Sequence, residues 1–359
     1  MASAIDISGL TLNPKESTEF QKFVIEKTFE RPELKALHAV YTGVKMDEQI
    51  VLASQLGLTG KKSTGCTRVS SGAKSVLTQK YWSPQKIEDL FEMCQAELNT
   101  KFKAYFDKIN SYKEMYDISG SDEEIFLSIL FEEAIYPTIY RASWFGDKDI
   151  AAATSSIGGL IDSKNIDFFN YFDGIFKQIF SGVLSGGIKR VEISQNNLNT
   201  ISAQKNLSDG FAVDLFEAMW DKADARLKSD ATSQFYCSNQ IWENYRKYLQ
   251  SKGENFTIQY TQEGVNQINW NGKKVINMNT IWDVTSQSYM TNNTTDNAYL
   301  LPNICILSTP SNLPIATLNE DDFNTLEIGY EQKPRNAWFA YGFTLDAKVV
   351  EDYMVVAAY

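Results

Sequence analysis

One histidine, His38, and four cysteines, Cys66, Cys94, Cys237 and Cys305, are the residues of this 359-residue chain best suited to nucleophilic or metal chemistry. Any Ser-His-Asp triad, Cys-His pair or multi-histidine metal site has to pass through His38. Its neighbours, Leu37-His-Ala-Val40, offer no ligand at metal-binding spacing, so a structural or surface histidine is the expectation. The cysteines are widely scattered and form no CxxC pair; neither a zinc cluster nor a thioredoxin-type centre is indicated, and reduced packing thiols are expected. Gly57-Leu-Thr-Gly-Lys-Lys-Ser63 has the composition of a phosphate loop, but Gln55 stands where the first glycine belongs and Lys62 stands where Ser or Thr should follow the lysine. Carboxylates are plentiful: Glu123, Glu124, Glu132 and Glu133 form one run and Glu320, Asp321 and Asp322 another, the residue type that paired-carboxylate hydrolases use. Such runs are more often solvated faces or helix starts. The chain is therefore expected not to be an enzyme, with no catalytic, cofactor-binding or metal-ligating residue and no cofactor.

Composition points the same way. Hydrophobic residues make up 43% and aromatics 13%, with eight prolines and no low-complexity tract, so most of the chain can bury itself. A net charge of −11 argues against a sequence-reading nucleic-acid binder, which needs a concentrated basic face to neutralise phosphates. The start, Met1-Ala-Ser-Ala-Ile-Asp6, lacks the basic and apolar regions of a secretory signal. Apolar runs such as Ile125-Phe-Leu-Ser-Ile-Leu-Phe131 are far shorter than the roughly 20 residues of a membrane-spanning helix. No membrane partner is expected.

The elements follow from periodicity. After an arm with few periodic patterns comes a basic island: Lys61, Lys62, Arg68, Lys74, Lys80 and Lys86 occur with no acidic residue between Glu48 and Glu88. Its Gly, Ser and Thr content cannot fill a core, and Lys74 to Trp82 alternates enough for a strand, so a long protruding hairpin is predicted. Ser83-Pro84 reads as a helix start, followed by Ile87, Leu90, Phe91, Cys94, Leu98, Phe102 and Tyr105 at helical spacing. Ser121-Asp-Glu-Glu124 fits a capping box opening a second helix, which Pro137 should kink or end before Gly146 stops it. A mixed region follows. Helices are predicted through Phe168–Ile179 and Ser208–Leu227, a strand at Gln234–Cys237, a helix at Asn239–Leu249 and a hairpin at Asn271-Gly272. The tail segments Thr325–Tyr330, Trp338–Leu345 and Tyr353–Tyr359 are predicted to form an antiparallel sheet ending at the last residue.

That order of features resembles the Hong Kong 97-like capsid proteins of tailed bacteriophages. Lys80-Tyr-Trp-Ser-Pro-Gln-Lys-Ile87 is similar to the return from their extended loop, and Ile125 to Asp147 to their spine helix with its terminal Gly-Asp turn. Phe211 to Leu249 resembles the helix, strand and helix of the axial domain, followed by the Asn-Gly hairpin and Ile281-Trp-Asp283. Trp338 to Tyr359 resembles the returning strands of the peripheral domain. The resemblance implies an α+β fold with an N-terminal arm (1–40), an extended loop (41–83), a peripheral domain (84–164 and 318–359) and an axial domain (165–317).

It also implies pentamers and hexamers of the chain closing an icosahedral shell around double-stranded DNA, within a virion assembled in a bacterial cytoplasm. The implied partners are other copies of the chain, a portal, a separate scaffolding protein and, as an optional addition, decoration proteins. The lysine–asparagine crosslink of some relatives has no matching pair here. An encapsulin-type compartment and a soluble mixed-fold enzyme are the alternatives; particle contents and particle size distinguish them. A core-less basic loop has to lie on something, and an acidic surface suits it. Lys61, Lys62, Arg68, Lys74 and Lys80 are therefore expected to cross a neighbouring subunit's spine helix at Asp122, Glu123, Glu124, Glu132 and Glu133.

Overall fold

The computed structural model describes residues 31–50, 80–94, 122–149, 163–252, 259–260, 266–283, 301–318, 325–331 and 336–359, with the single residues 28, 97, 285 and 299. Two sheets and a long helix between them make up the body. The tail builds the first sheet around its longest strand, β13 (Asn336–Ala347). Strand β12 (Thr325–Glu331) forms an antiparallel hairpin with it along one edge. Along the other edge β4 (Gln85–Cys94) pairs antiparallel with β13 from Asn336 to Leu345. Beyond it, β11 (Ile315–Leu318) takes Asp346 and Ala347, and β1 (Val40–Val44) runs parallel to β11.

Strand β4 replaces the helix predicted after Ser83-Pro84. Ile87 and Phe91 lie four apart and satisfy either period, but Leu90 decides between them: it is 57% exposed while Ile87 is buried. Lys86, Glu88 and Glu92 share its exposed face, the alternation of a half-buried strand. The aromatic edge of β13 offers β4 ten backbone partners, and that pairing overrides local helical spacing. Ser83 caps no helix; its N–H donates to Asp346 Oδ2 at 2.8 Å. Leu98, Phe102 and Tyr105 lie outside the described residues.

Helix α2 (Asp122–Phe145) opens where the acidic first turn predicts. Helix α1 (Pro32–Leu37) precedes it in the chain. Pro137 does not end α2, because it sits on the exposed side where the carbonyl left without a partner can meet water, while Phe131, Ile135, Ile139, Ala142 and Phe145 form the buried stripe. At the helix end Gly146 N–H donates to Ala142 O, and a Cβ on Gly146 would sit 2.6 Å from Phe172 O and 2.7 Å from Ala142 O. Only glycine permits that approach.

The second sheet has the order β5 (Lys189–Val191), β14 (Val356–Ala358), β10 (Cys305–Ser308), β6 (Gln234–Cys237), β9 (Lys273–Asn277), β8 (Asn266–Trp270), β7 (Gln259–Tyr260). The predicted Asn271-Gly272 turn joins β8 to β9, with φ of 46° and 77° as a two-residue hairpin of this kind requires. Besides the short helices α4 (Ile201–Lys205) and α6 (Ala225–Ser229), this region holds α5 (Phe211–Lys222) and α7 (Asn239–Ser251), which cover one face; their Phe216, Trp242 and Tyr245 pack on Phe235, Cys237 and Leu307. On the other face Tyr236, Ile276 and Ile306 meet the end of α2 and α3 (Ile175–Leu184). Trp144 is the hub there, with ring centroids 5.0 Å from Trp282, 5.3 Å from Phe176 and 5.8 Å from Tyr236.

The last strand departs from the predicted tail sheet. β14 inserts between β10 and β5 of the second sheet, antiparallel to one and parallel to the other. Its residues Val356, Ala357 and Ala358 are all buried, with Val356 and Ala358 in one core and Ala357 in the other. A short strand that is apolar on both faces suits a position inside a sheet covered on both sides. Among the described residues no helix is long and apolar enough to cross a membrane.

Candidate functional site at the base of the loop

Two short strands set the root of the predicted loop. β2 (Gln49–Ile50) pairs antiparallel with β3 (Lys80–Tyr81), Gln49 opposite Tyr81 and Ile50 opposite Lys80. The chain therefore leaves at Ile50 and returns beside it at Lys80. Residues 51–79, with Lys61, Lys62, Arg68 and Lys74, lie outside the described residues. Asp47, at φ 58°, makes the turn into β2, and its N–H donates to Trp82 O while Trp82 N–H donates to Glu48 O, both at 2.9 Å. The Trp82 ring is buried against Val44 and Ala316, with Ile50 packed alongside. Around it Tyr41, Met46 and Tyr81 keep roughly half of their surface exposed, an apolar rim at the root.

Two charged anchors hold this root to the body. Lys80 Nζ donates to Val349 O at 2.7 Å and to Asp352 Oδ1 at 3.0 Å. Asp346, fully buried, accepts from Ser83 N–H and pairs with Lys348 at 3.2 Å; burial pushes its carboxyl up, against the pull of the Lys348 charge. The segment they grip runs from β13 into β14, so the loop root, the first sheet and the second sheet share one joint.

The acids of the spine helix divide. Glu132 is turned inward, its side chain 7% exposed, and takes Arg31 at 2.7 Å; Arg31 also lies over the Tyr136 ring at 4.4 Å. Glu133 is exposed. Asp122, Glu123 and Glu124 occupy the first turn of α2, and their side chains lie outside those described. Among the described residues none of the expected lysine–acid pairs meets within the chain. Two members of that expected contact, Lys80 and Glu132, have partners within their own subunit, Asp352 at 3.0 Å and Arg31 at 2.7 Å.

His38 has the structural role that its isolation suggests. Its Nδ1 donates to Leu313 O at 2.7 Å, and its Nε2 accepts from Trp144 Nε1–H at 3.1 Å, which fixes one neutral tautomer. Burial lowers its pKa to about 4, the Leu313 carbonyl partly opposing the shift. The histidine thereby ties the residues after α1 to the spine helix and to the segment leading into β11.

Sequence reading missed the buried charges. Lys177 bonds Asp147 just past the spine helix, close to Asp149 and Asp173. Burial works against its charge, but the hydrogen bond and charge of Asp147, with Asp173 and Asp149, override that and raise its pKa. Lys177, together with Lys148 paired to Asp173 at 3.2 Å, offsets part of the charge of this acidic cluster. Asp283 Oδ2 accepts from Asn239 N–H at the start of α7, with its pKa raised by burial to about 6. The only sequence signals were Trp144-Phe-Gly-Asp147 and Ile281-Trp-Asp283, each an acid within two residues of an aromatic core residue.

No protein-family model matches this sequence, and neither does any curated protein. Among solved structures, a chain of the satellite phage P4 procapsid with its size determination (Sid) protein has a TM-score of 0.54 at 9% identity, over 94% of this chain and 98% of that one. This chain has the Hong Kong 97-like capsid fold. Looser likenesses include Gordonia phage Cozz, with a TM-score of 0.48 at 11% identity, over 91% of this chain and 86% of that one. The holo-SrpI encapsulin complex of Synechococcus elongatus PCC 7942 gives 0.43 at 9% identity, over 100% and 90%. The fold assignment rests on the first. Within the Hong Kong 97-like fold of this chain, the loop root stands where the spine-helix sheet joins the seven-stranded sheet.

Proposed function

We propose that this chain is the major capsid protein of a tailed phage, a building block and not an enzyme, which assembles as pentamers and hexamers into an icosahedral shell around double-stranded DNA. The observation that carries the reading is a capsid-type fold along nearly the whole chain, with a rooted excursion between Ile50 and Lys80. In this reading residues 1–40 are the arm and 41–83 the extended loop. The peripheral domain is 84–164 with the tail up to β13, and the axial domain is 165–317 with β14 added to it. Other copies of the chain are the main partners, joined by portal and scaffolding proteins, in a virion put together in the host cytoplasm.

Lys61, Lys62, Arg68 and Lys74 then lie on a neighbour's Asp122, Glu123, Glu124 and Glu133. Each exposed pair contributes under about 1 kcal/mol, so the row sets register more than it supplies affinity. The net charge of −11 supports a container whose wall does not cling to packed DNA.

Electron microscopy of the expressed protein, with assay of particle contents, tests the reading. Closed shells are expected, and in the infected host they should hold DNA; shells filled with one protein would mean an encapsulin-type compartment. Reversing Lys61, Lys62 and Lys74 to Glu should abolish shells while circular dichroism and the urea midpoint of the monomer stay unchanged. Normal particles from that triple variant would refute the contact.

A further inference from the structure

Cys237 ends β6 and Cys305 opens β10, directly opposite each other on adjacent antiparallel strands. The next pair along the ladder, Ser238 and Ile304, is joined by a 2.9 Å bond from Ser238 N–H to Ile304 O. Antiparallel ladders alternate, so the cysteines occupy a non-hydrogen-bonded site, where strands approach closest and opposed side chains lie nearest. Their Sγ atoms are 3.2 Å apart, and both side chains are fully buried beneath α5 and α7. Small rotations about the two Cα–Cβ bonds bring such sulfurs to bonding distance without moving the strands. Sequence separation hid this pair, since 237 and 305 form no motif.

We propose that Cys237 and Cys305 are an intramolecular redox site, which a small peroxide oxidises to a disulfide stapling the middle of the seven-stranded sheet. One thiolate attacks a peroxide oxygen, breaking the O–O bond and giving a sulfenic acid and hydroxide, which takes up the thiol's proton to become water. The second sulfur then attacks the sulfenic sulfur; the S–S bond forms, and the sulfenic oxygen leaves with the second thiol's proton as another water. Two electrons pass from the sulfurs to the peroxide. The oxidant has to be small because the pair is enclosed. Burial holds the Cys237 thiol well above the usual range, so the reaction is slow compared with that of an exposed cysteine. The bond ties strands that arrive from distant parts of the sequence, which restricts the unfolded chain. None of this depends on the shell reading.

The test uses the full-length folded protein with its native cysteines. It is reduced, freed of reductant, treated with hydrogen peroxide, then alkylated in denaturant and mapped by mass spectrometry. Exposed Cys94 serves as the clock. The expected product is a peptide joining Cys237 to Cys305, two hydrogens lighter than its parts and released by a thiol reductant. The oxidised protein should show a higher urea midpoint that the same reductant returns to its starting value. The proposal is overturned if Cys237 and Cys305 stay fully alkylatable long after Cys94 is consumed. It is equally overturned if the bond forms only in urea, or if either cysteine pairs with Cys66 or Cys94.

Discussion

His38 shows how a residue suited to chemistry is spent on architecture. The imidazole donates to Leu313 O and accepts from the Trp144 indole, so protonating Nε2 would set two N–H donors against each other in a dry core. Its pKa of about 4 lies below the ordinary 6.5, so between those values the unfolded chain binds the extra proton. The stability tied to a neutral His38 is complete above pH 6.5 and drains away as pH falls towards 4, for a total of about 3 kcal/mol. Asp283 opposes this. Its raised pKa, about 6, makes the folded chain bind the extra proton over much of the same range, so its contribution falls as pH rises. The whole-protein profile is therefore flattened, and the diagnostic quantity is a difference. His38→Asn, whose amide can still donate to Leu313 O, should lose less stability than the parent between pH 6.5 and 4.5, measured as urea midpoints. Parallel profiles would mean that the histidine does not titrate as described.

At the scale of elements, the clearest sequence signals were those in which local chemistry and tertiary context agree. The capping-box acids opened the spine helix, Asn271-Gly272 turned a hairpin, and the aromatic alternation of Thr325–Tyr330 and Trp338–Leu345 made two paired strands. The stretch after Pro84 misled, because Ile87 and Phe91 are in phase with both a helix and a strand and the partner that decides lies some 250 residues later. β14 misled for the same reason: its apolar run announces burial without saying in which sheet. The strand assignment makes a sharp expectation. Ile87→Ala should cost about 2–5 kcal/mol by leaving a cavity against the first sheet, whereas Leu90→Ala should cost under about 0.5 kcal/mol. Comparable losses at both positions, measured by chemical denaturation, would restore the helical face.

For the molecule as a whole, fold class and element order were readable because they depend on patterns within segments. The within-chain partners of two residues of the expected contact were not readable. Lys80 and Glu132 looked like surface charges in a row of their kind, and nothing local reveals that Asp352 and Arg31 wait for them across the fold. What remains is a basic row between two paired strands at one root, and the acids Asp122, Glu123, Glu124 and Glu133 along the spine helix. The central claim is that this row rests on another copy. Particles assembled from equal parts of ordinary and nitrogen-15-labelled protein, treated with a zero-length carboxyl–amine crosslinker, test it most directly. The account predicts peptides joining Lys61, Lys62 or Lys74 of one isotope to Glu123, Glu124 or Glu133 of the other. Crosslinks only between peptides of the same isotope would mean that the loop folds back on its own subunit, contradicting it.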